Sequence, residues 1–195
     1  MNLNELMHDI HENAAAHGWW DTPRSAAEIR ALIHSEWSEA LEEDRAGNPG
    51  VWYACMDEYG MCHPGCPHYD EGPDCPDRAS KPEGWAVELI DGVIRILDYL
   101  GWCGYKYADS LTLAEVVGMG TRMAENLTLP ELVDRLHSRI AHSDKRRFEE
   151  ASVHLNHALC LALAWIAAQG LNPEALLLEK HEYNKGRPYK HGKQY

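Results

Sequence analysis

The chain has 195 residues, of which 45% are hydrophobic and 25% charged, and its formal net charge is −13 at pH 7. This composition is typical of one globular domain, and it argues against a disordered chain and against a general nucleic-acid-binding surface. The N-terminus does not resemble a signal peptide, and the longest apolar run, residues 158–168, is too short to span a bilayer. We therefore expect a cytoplasmic protein without a membrane partner, whose six cysteines are reduced.

Helical periodicity dominates the sequence, and hairpin signals are nearly absent, which predicts an all-α fold. In chain order, the predicted helices cover about residues 3–17, 25–47, 82–100, 130–142, 144–169 and 173–185. Ser25 and Glu28 have the spacing of a capping box, Ser143 is a candidate cap for the fifth helix, and Asn172-Pro173 is a typical helix start. The segment between the third and fourth predicted helices gives no clear prediction.

The segment from Arg45 to Pro82 differs from the rest of the chain, because it contains six of the ten prolines and four of the six cysteines. We interpret it as an irregular insertion within a single domain of residues 1–195 rather than as a linker. A structural Zn²⁺ would order such a loop, which has no core of its own. The candidate ligands are Cys55, Cys62, Cys66 and Cys75. Their spacing is not that of a standard zinc finger, so a loop with buried or free cysteines is the alternative.

The second predicted helix carries carboxylates on a face that also carries apolar residues. At about 100° per residue, Glu36 and Glu39 lie about 60° apart, and Ile29, Ile33 and Ala40 lie within about 60° of Glu36. Glu36 therefore points to where the core should be. A buried carboxylate needs a partner that compensates its charge.

The third predicted helix carries a second pair, because Glu88 and Asp91 share one stripe of a helix that is otherwise largely apolar. If the two helices pack face to face, four carboxylates come close together and repel one another unless cations neutralise them. Oxygen ligands favour Mg²⁺ or Mn²⁺. The spacing therefore predicts a metal site of Glu36, Glu39, Glu88 and Asp91, with solvated acidic helix faces as the alternative.

The C-terminal residues 179–195 reverse the acidic character of the chain, since they carry five of its eighteen lysines and arginines. On a continued helix, Lys180, Asn184 and Arg187 share one face. Arginine and lysine are typical ligands of phosphate oxygens. The pattern predicts a phosphate-binding face beside the metal site, with a solvated basic terminus as the alternative.

Together these motifs resemble the MazG-like all-α nucleoside triphosphate pyrophosphatases, a family known by an ExxE pair on one helix and an ExxD pair on a later one. The matching stretches are LIHSEWSEALEE, PEGWAVELIDGVIRILD, GWWD at 18–21 and the closing KHEYNKGRPYKHGK. The resemblance implies a MazG-like helical bundle that assembles as a homodimer or homotetramer. It also implies Mg²⁺- or Mn²⁺-dependent hydrolysis of a nucleoside triphosphate, such as a dNTP or a non-standard nucleotide cleared by house-cleaning enzymes, to the monophosphate and pyrophosphate.

The resemblance assigns roles to individual residues. The four carboxylates would hold Mg²⁺, and Glu36 or Glu39 would activate a water molecule. The substrate-binding residues would be Lys180, Asn184, Arg187, Tyr189, Trp19 and Trp20. The chain departs from compact members of the family, which join these helices directly, by insertions at about residues 45–82 and 103–150.

Two other functions compete with this interpretation. A di-iron or di-manganese carboxylate bundle needs Glu-x-x-His on two helices, and the chain has only the Glu5–His8 pair. A non-enzymatic, zinc-ordered protein-interaction module would leave the acidic stripes solvated. Such a module predicts no effect of Mg²⁺ on thermal melting, whereas the enzyme predicts a stabilisation.

Overall fold

The computed structural model describes residues 1–54, 81–145 and 147–192, and over these residues it confirms the all-α prediction. The described residues form seven α-helices, α1 (Leu3–Ala16), α2 (Ala26–Arg45), α3 (Trp85–Trp102), α4 (Leu113–Ala124), α5 (Leu129–His142), α6 (Phe148–Ala168) and α7 (Pro173–Lys185), and a short 3₁₀ helix at Tyr189–Gly192. Two short strands, β1 (Trp52–Ala54) and β2 (Lys81–Glu83), pair antiparallel at the two ends of the cysteine-rich segment.

The predicted start of the third helix is wrong. Pro82 and Glu83 belong to β2, and α3 begins only at Trp85. Gly84 separates the two elements with a φ of +108°, which L side chains rarely adopt. A Cβ there would also lie 2.6 Å from the carbonyl oxygen of Pro49, so the close approach of the two backbones requires glycine.

The predicted caps have different outcomes. Ser25 and Asn172 accept hydrogen bonds from the first-turn N–H groups of α2 and α7, as expected for N-caps. The prediction for Ser143 is wrong, because this residue ends α5 and its hydroxyl donates to the carbonyl oxygen of Ile140 at 2.7 Å. The helix that it was expected to cap, α6, begins only at Phe148.

The range 103–150 contains two complete helices that belong to the core. α4 packs on α6, and α5 packs on both α2 and α6. Leu113, Leu132, Leu136 and Ile140 from these helices are fully buried. The sequence gives no clear prediction for α4 because two glycines in LAEVVGMGTRMA lower its intrinsic helix propensity.

The central helix α6 is long and apolar enough, by length and composition alone, to cross a membrane. In the described structure, 67% of its most apolar 18-residue window is buried inside the fold. The other helices therefore cover most of this apolar surface, as they do in the core helix of a globular domain.

The packing of α2 on α3 depends on a close contact between an indole and a glycine. Trp37 is fully buried against Gly92, and its Nε1 donates to the carbonyl oxygen of Leu89 at 3.4 Å. A Cβ on Gly92 would overlap the indole ring. Because Glu36 precedes Trp37 and Asp91 precedes Gly92, this contact also fixes the separation of the acidic side chains.

We expect Gly92→Ala to lower the free energy of unfolding by about 1–3 kcal/mol, because the added methyl group forces Trp37 out of its position. For a chain of this size that corresponds to about 2–4 °C in Tm per kcal/mol, measured by circular dichroism. Gly118→Ala is the matched control, since a Cβ there meets nothing within 4 Å. Equal melting of both variants and the wild type would contradict the importance of this contact.

Candidate functional site

An open cleft lies between α1, α2, α3 and α7. Its volume, including the open solvent at its mouth, is about 930 Å³. The acidic residues that line it are Glu36, Glu39, Glu88, Asp91 and Asp98. The lysines and arginines that line it are Arg24, Lys81, Arg95, Lys180 and Arg187.

Three of the four predicted metal ligands come together in this cleft. Glu36 from α2 and Glu88 and Asp91 from α3 each place a carboxylate oxygen within 4.8 Å of the other two. Glu36 is 8% exposed and Glu88 is 6% exposed, so both face inward as their apolar neighbours predict. Glu39 does not belong to this group of three; it lines the same cleft, is exposed and accepts a hydrogen bond from Ser35 at 2.9 Å.

Burial makes the clustered carboxylates hold protons more tightly. It raises the pKa of Glu88 to about 9, with a further contribution from the negative charge of Asp91 and an opposing one from Lys180. Burial also raises the pKa of Glu36, although the positive charge of Arg95 acts in the opposite direction. The cluster therefore favours either a proton or a cation between its oxygens.

Two cationic side chains compensate part of this charge. Arg95 forms an ion pair with Glu36 through Nε and Nη2. Lys180 of α7 is 2% exposed, and its Nζ lies 3.0 Å from Asp91 and 3.2 Å from the carbonyl oxygen of Pro82, to which it donates. Burial alone would lower the pKa of Lys180, but Asp91 and Glu88 outweigh it and leave that pKa above its ordinary value. Sequence reasoning did not include Arg95 in the site, although its spacing from Glu88 places both on one helix stripe.

The predicted substrate-binding residues of α7 lie at this cleft, but the tyrosine that follows them does not line it. Lys180, Asn184 and Arg187 line the cleft, and Asn184 is 9% exposed. Tyr189 is 60% exposed, and its hydroxyl donates to Asp21 in the turn between α1 and α2. The hydrogen bond from Tyr189 to Asp21 therefore stabilises that turn.

The two predicted tryptophans have different positions. Trp19 lines the cleft. Trp20 is 9% exposed, and its ring stacks on that of Trp102 with 4.4 Å between the centroids. Its Nε1 donates to Asp98 at 2.8 Å, and Nδ1 of His11 lies 2.7 Å from the same carboxylate oxygen. Trp20 thus supports Asp98, a residue of the cleft that sequence reasoning did not select.

The chemistry of the donor set fits a hard divalent cation. Three carboxylates from two helices supply only oxygen ligands, which Mg²⁺ and Mn²⁺ prefer. The predicted zinc ligands cannot be compared in the same way, because they lie outside the described residues. They are Cys55, Cys62, Cys66 and Cys75.

Comparisons with protein-family models, with curated proteins and with solved structures find no match to this chain. The functional interpretation therefore depends on the geometry of the cleft and on the sequence motifs that line it.

We expect Glu88→Gln to stabilise the metal-free protein at pH 8. The pKa of Glu88 is about 9 in the folded state, against an ordinary value of 4.5. The protonated side chain therefore makes its full contribution to the free energy of unfolding below about pH 4.5. This contribution decreases as the pH rises toward 9. Glutamine does not ionise, so the variant avoids the decrease. The expected gain is at least about 1 kcal/mol, or about 2–4 °C in Tm, because each pH unit between the two pKa values is worth about 1.4 kcal/mol.

The measurement is thermal melting with a chelator present, at pH 5 and at pH 8. Glu39→Gln is the control, because it removes an exposed carboxylate of the same cleft and should leave Tm unchanged at both pH values. A loss of stability in Glu88→Gln at pH 8 would show that the carboxylate at position 88 is stabilising there.

Proposed function

We propose that this chain is a Mg²⁺-dependent nucleoside triphosphate pyrophosphohydrolase of the MazG-like type. It hydrolyses a nucleoside triphosphate, such as a dNTP or a non-standard nucleotide, to the monophosphate and pyrophosphate. The observation that carries the proposal is that one cleft joins a three-carboxylate cluster to Lys180 and Arg187. A polyphosphate with its metal ion needs this combination, because carboxylates bind the ion while basic side chains bind phosphate oxygens.

The proposal assigns a role to each part of the cleft. Glu36, Glu88 and Asp91 would hold the divalent cation, and Glu39, which lines the same cleft, would take part when substrate binds. The cation supplies charge neutralisation on the phosphates and polarises the reacting phosphorus–oxygen bonds. Lys180 and Arg187 orient the phosphate oxygens, since phosphoryl transfer depends mainly on positioning and charge compensation.

Hydrolysis between the α- and β-phosphates also needs a base that accepts a proton from water. Glu36 and Glu39 are the candidate bases. In the metal-free cluster burial raises the pKa of Glu36, so this carboxylate accepts a proton more readily than an exposed one. Glu39 is exposed and accessible to water.

The proposal includes a homodimer or homotetramer, as the MazG-like resemblance implies, and a cytoplasmic location. The competing interpretation, a zinc-ordered interaction module, depends on cysteines outside the described residues. None of the residues that the structure describes favours it over the enzyme.

The first test of the proposal is pyrophosphate release from a panel of NTPs and dNTPs with Mg²⁺. We expect release from some members of the panel, and a loss of roughly 10²–10³-fold or more in kcat for Glu36→Gln and for Asp91→Asn, because each removes a charged ligand. Glu42→Gln is the control on the same helix, since Glu42 is exposed and pairs with Arg45. Absence of release from the whole panel by folded protein would overturn the proposal.

A second test needs no substrate. We expect millimolar Mg²⁺ to raise Tm, because an ion that binds only the folded cluster stabilises it and relieves the repulsion between its carboxylates. Glu36→Gln and Asp91→Asn should abolish the rise, while Glu42→Gln should retain it. The same rise in all four proteins would show that Mg²⁺ binds elsewhere.

A further inference from the structure

A buried arginine at the cleft has a donor group that no described residue satisfies. Arg24 precedes α2, its side chain is 6% exposed, and its Nε donates to Glu28 at 2.8 Å. Its Nη2 is buried and has no hydrogen-bond partner among the described residues. A buried donor of a charged group without an acceptor is costly, so this atom needs an acceptor that a ligand in the cleft can supply.

Aromatic rings fix the position of this guanidinium. Its central carbon lies 5.6 Å from the ring centroid of Trp19 and 6.0 Å from that of Trp20. Contacts of this kind between a cation and an indole are attractive and limit the movement of the arginine. Because Trp19 also lines the cleft, a flat apolar surface and a charged donor lie together in it.

Asp98 adds a hydrogen-bond acceptor to the same part of the cleft. Its contacts with Trp20 and His11 both use Oδ1, so neither engages Oδ2. Burial raises the pKa of Asp98, while the hydrogen bonds from His11 and Trp20 and the positive charge of Arg24 act in the opposite direction. Asp98 and Arg24 both line the cleft, and together they offer an acceptor and a donor to a ligand.

A second unsatisfied group lines the cleft from another element. Oδ1 of Asn184 on α7 is buried and has no hydrogen-bond partner among the described residues. Asn184 and Arg24 come from different elements, yet both line the one cleft. A ligand that satisfies both must carry a hydrogen-bond acceptor and a separate donor, as a nucleotide does through its base and its sugar hydroxyl.

We propose that Trp19, Arg24 and Asp98 form the base-binding end of the cleft and select keto bases, in which a ring carbonyl lies beside a ring N–H. Nη2 of Arg24 donates to the carbonyl oxygen, and Oδ2 of Asp98 accepts the adjacent N–H. Uracil, thymine, guanine and hypoxanthine have this pattern. This inference rests on the proposed function, because it takes the ligand to be a nucleotide.

Adenine and cytosine present the reverse pattern at the corresponding edge. Their amino group would meet the arginine donor, and their ring nitrogen, which has no proton, would meet the carboxylate. Both contacts are repulsive and leave buried polar groups unsatisfied, which is how a polar site rejects a near-isosteric ligand.

Two matched substrate pairs isolate this difference, ITP against ATP and dUTP against dCTP. With Mg²⁺ present, we expect kcat/KM to be roughly 10-fold or more higher for the keto member of each pair, which corresponds to one hydrogen bond to a charged group. Arg24→Gln should bring each ratio close to 1, mainly by slowing the keto substrates. Arg45→Gln is the control, since Arg45 forms an equivalent pair with Glu42 on the same helix and is exposed.

A binding measurement separates base recognition from catalysis. Calorimetry without divalent cations compares the binding of IMP with that of AMP, and of dUMP with that of dCMP. We expect IMP and dUMP to bind more tightly, and we expect Arg24→Gln to abolish this preference. If Arg24→Gln does not fold, Arg24→Lys keeps the charge but loses the planar fork, and it should also weaken the preference. Melting temperatures of all variants report any purely structural role of Arg24.

Equal rates and equal binding within both pairs would overturn the inference, and so would a keto preference that survives in Arg24→Gln. If no triphosphate is hydrolysed but the monophosphates bind with the expected preference, the proposed function fails and the base site stands. If neither hydrolysis nor binding occurs, both fail.

Discussion

The burial of negative charge between α2 and α3 is the constraint on which the rest of the structure depends. Glu36 and Glu88 are almost completely buried within 4.8 Å of Asp91, and such a cluster is unfavourable without compensating cations. Arg95 compensates from within α3, whereas Lys180 comes from α7 and also binds the backbone of β2. The need for charge compensation therefore ties the C-terminal helix to the centre of the molecule.

Apolar packing around the cluster determines how far the charges can separate. Trp37 against Gly92 holds α2 close to α3, and α5 and α6 cover the opposite faces of these two helices with fully buried leucines. A well-packed core deforms little, so the carboxylates cannot reduce their repulsion by moving apart. Sites that keep such unfavourable groups usually do so for function, because stability alone would replace them with apolar residues.

Two groups of side chains with different chemistry line the cleft. One group consists of carboxylates and basic side chains, which suits a metal ion with phosphates, and the other consists of Trp19, Arg24 and Asp98, which suits a flat polar ring. A nucleoside triphosphate has the same polarity along its length, from charged phosphates to an aromatic base. This correspondence between cleft and ligand supports the proposed function more strongly than the acidic residues do alone.

The sequence by itself determined the features that depend on neighbouring residues. Helical periodicity and local caps gave α1, α2 and α7, and apolar neighbours on the helix surface gave the inward direction of Glu36 and Glu88. Only the tertiary structure decided what depends on distant partners. β2 requires β1 from across the cysteine-rich segment, α4 overcomes its glycines by packing on α6, and Arg95 reaches Glu36 from another helix. The place of Arg24 and Asp98 in the cleft could not be predicted for the same reason, because local patterns specify the faces of a helix but not which faces meet.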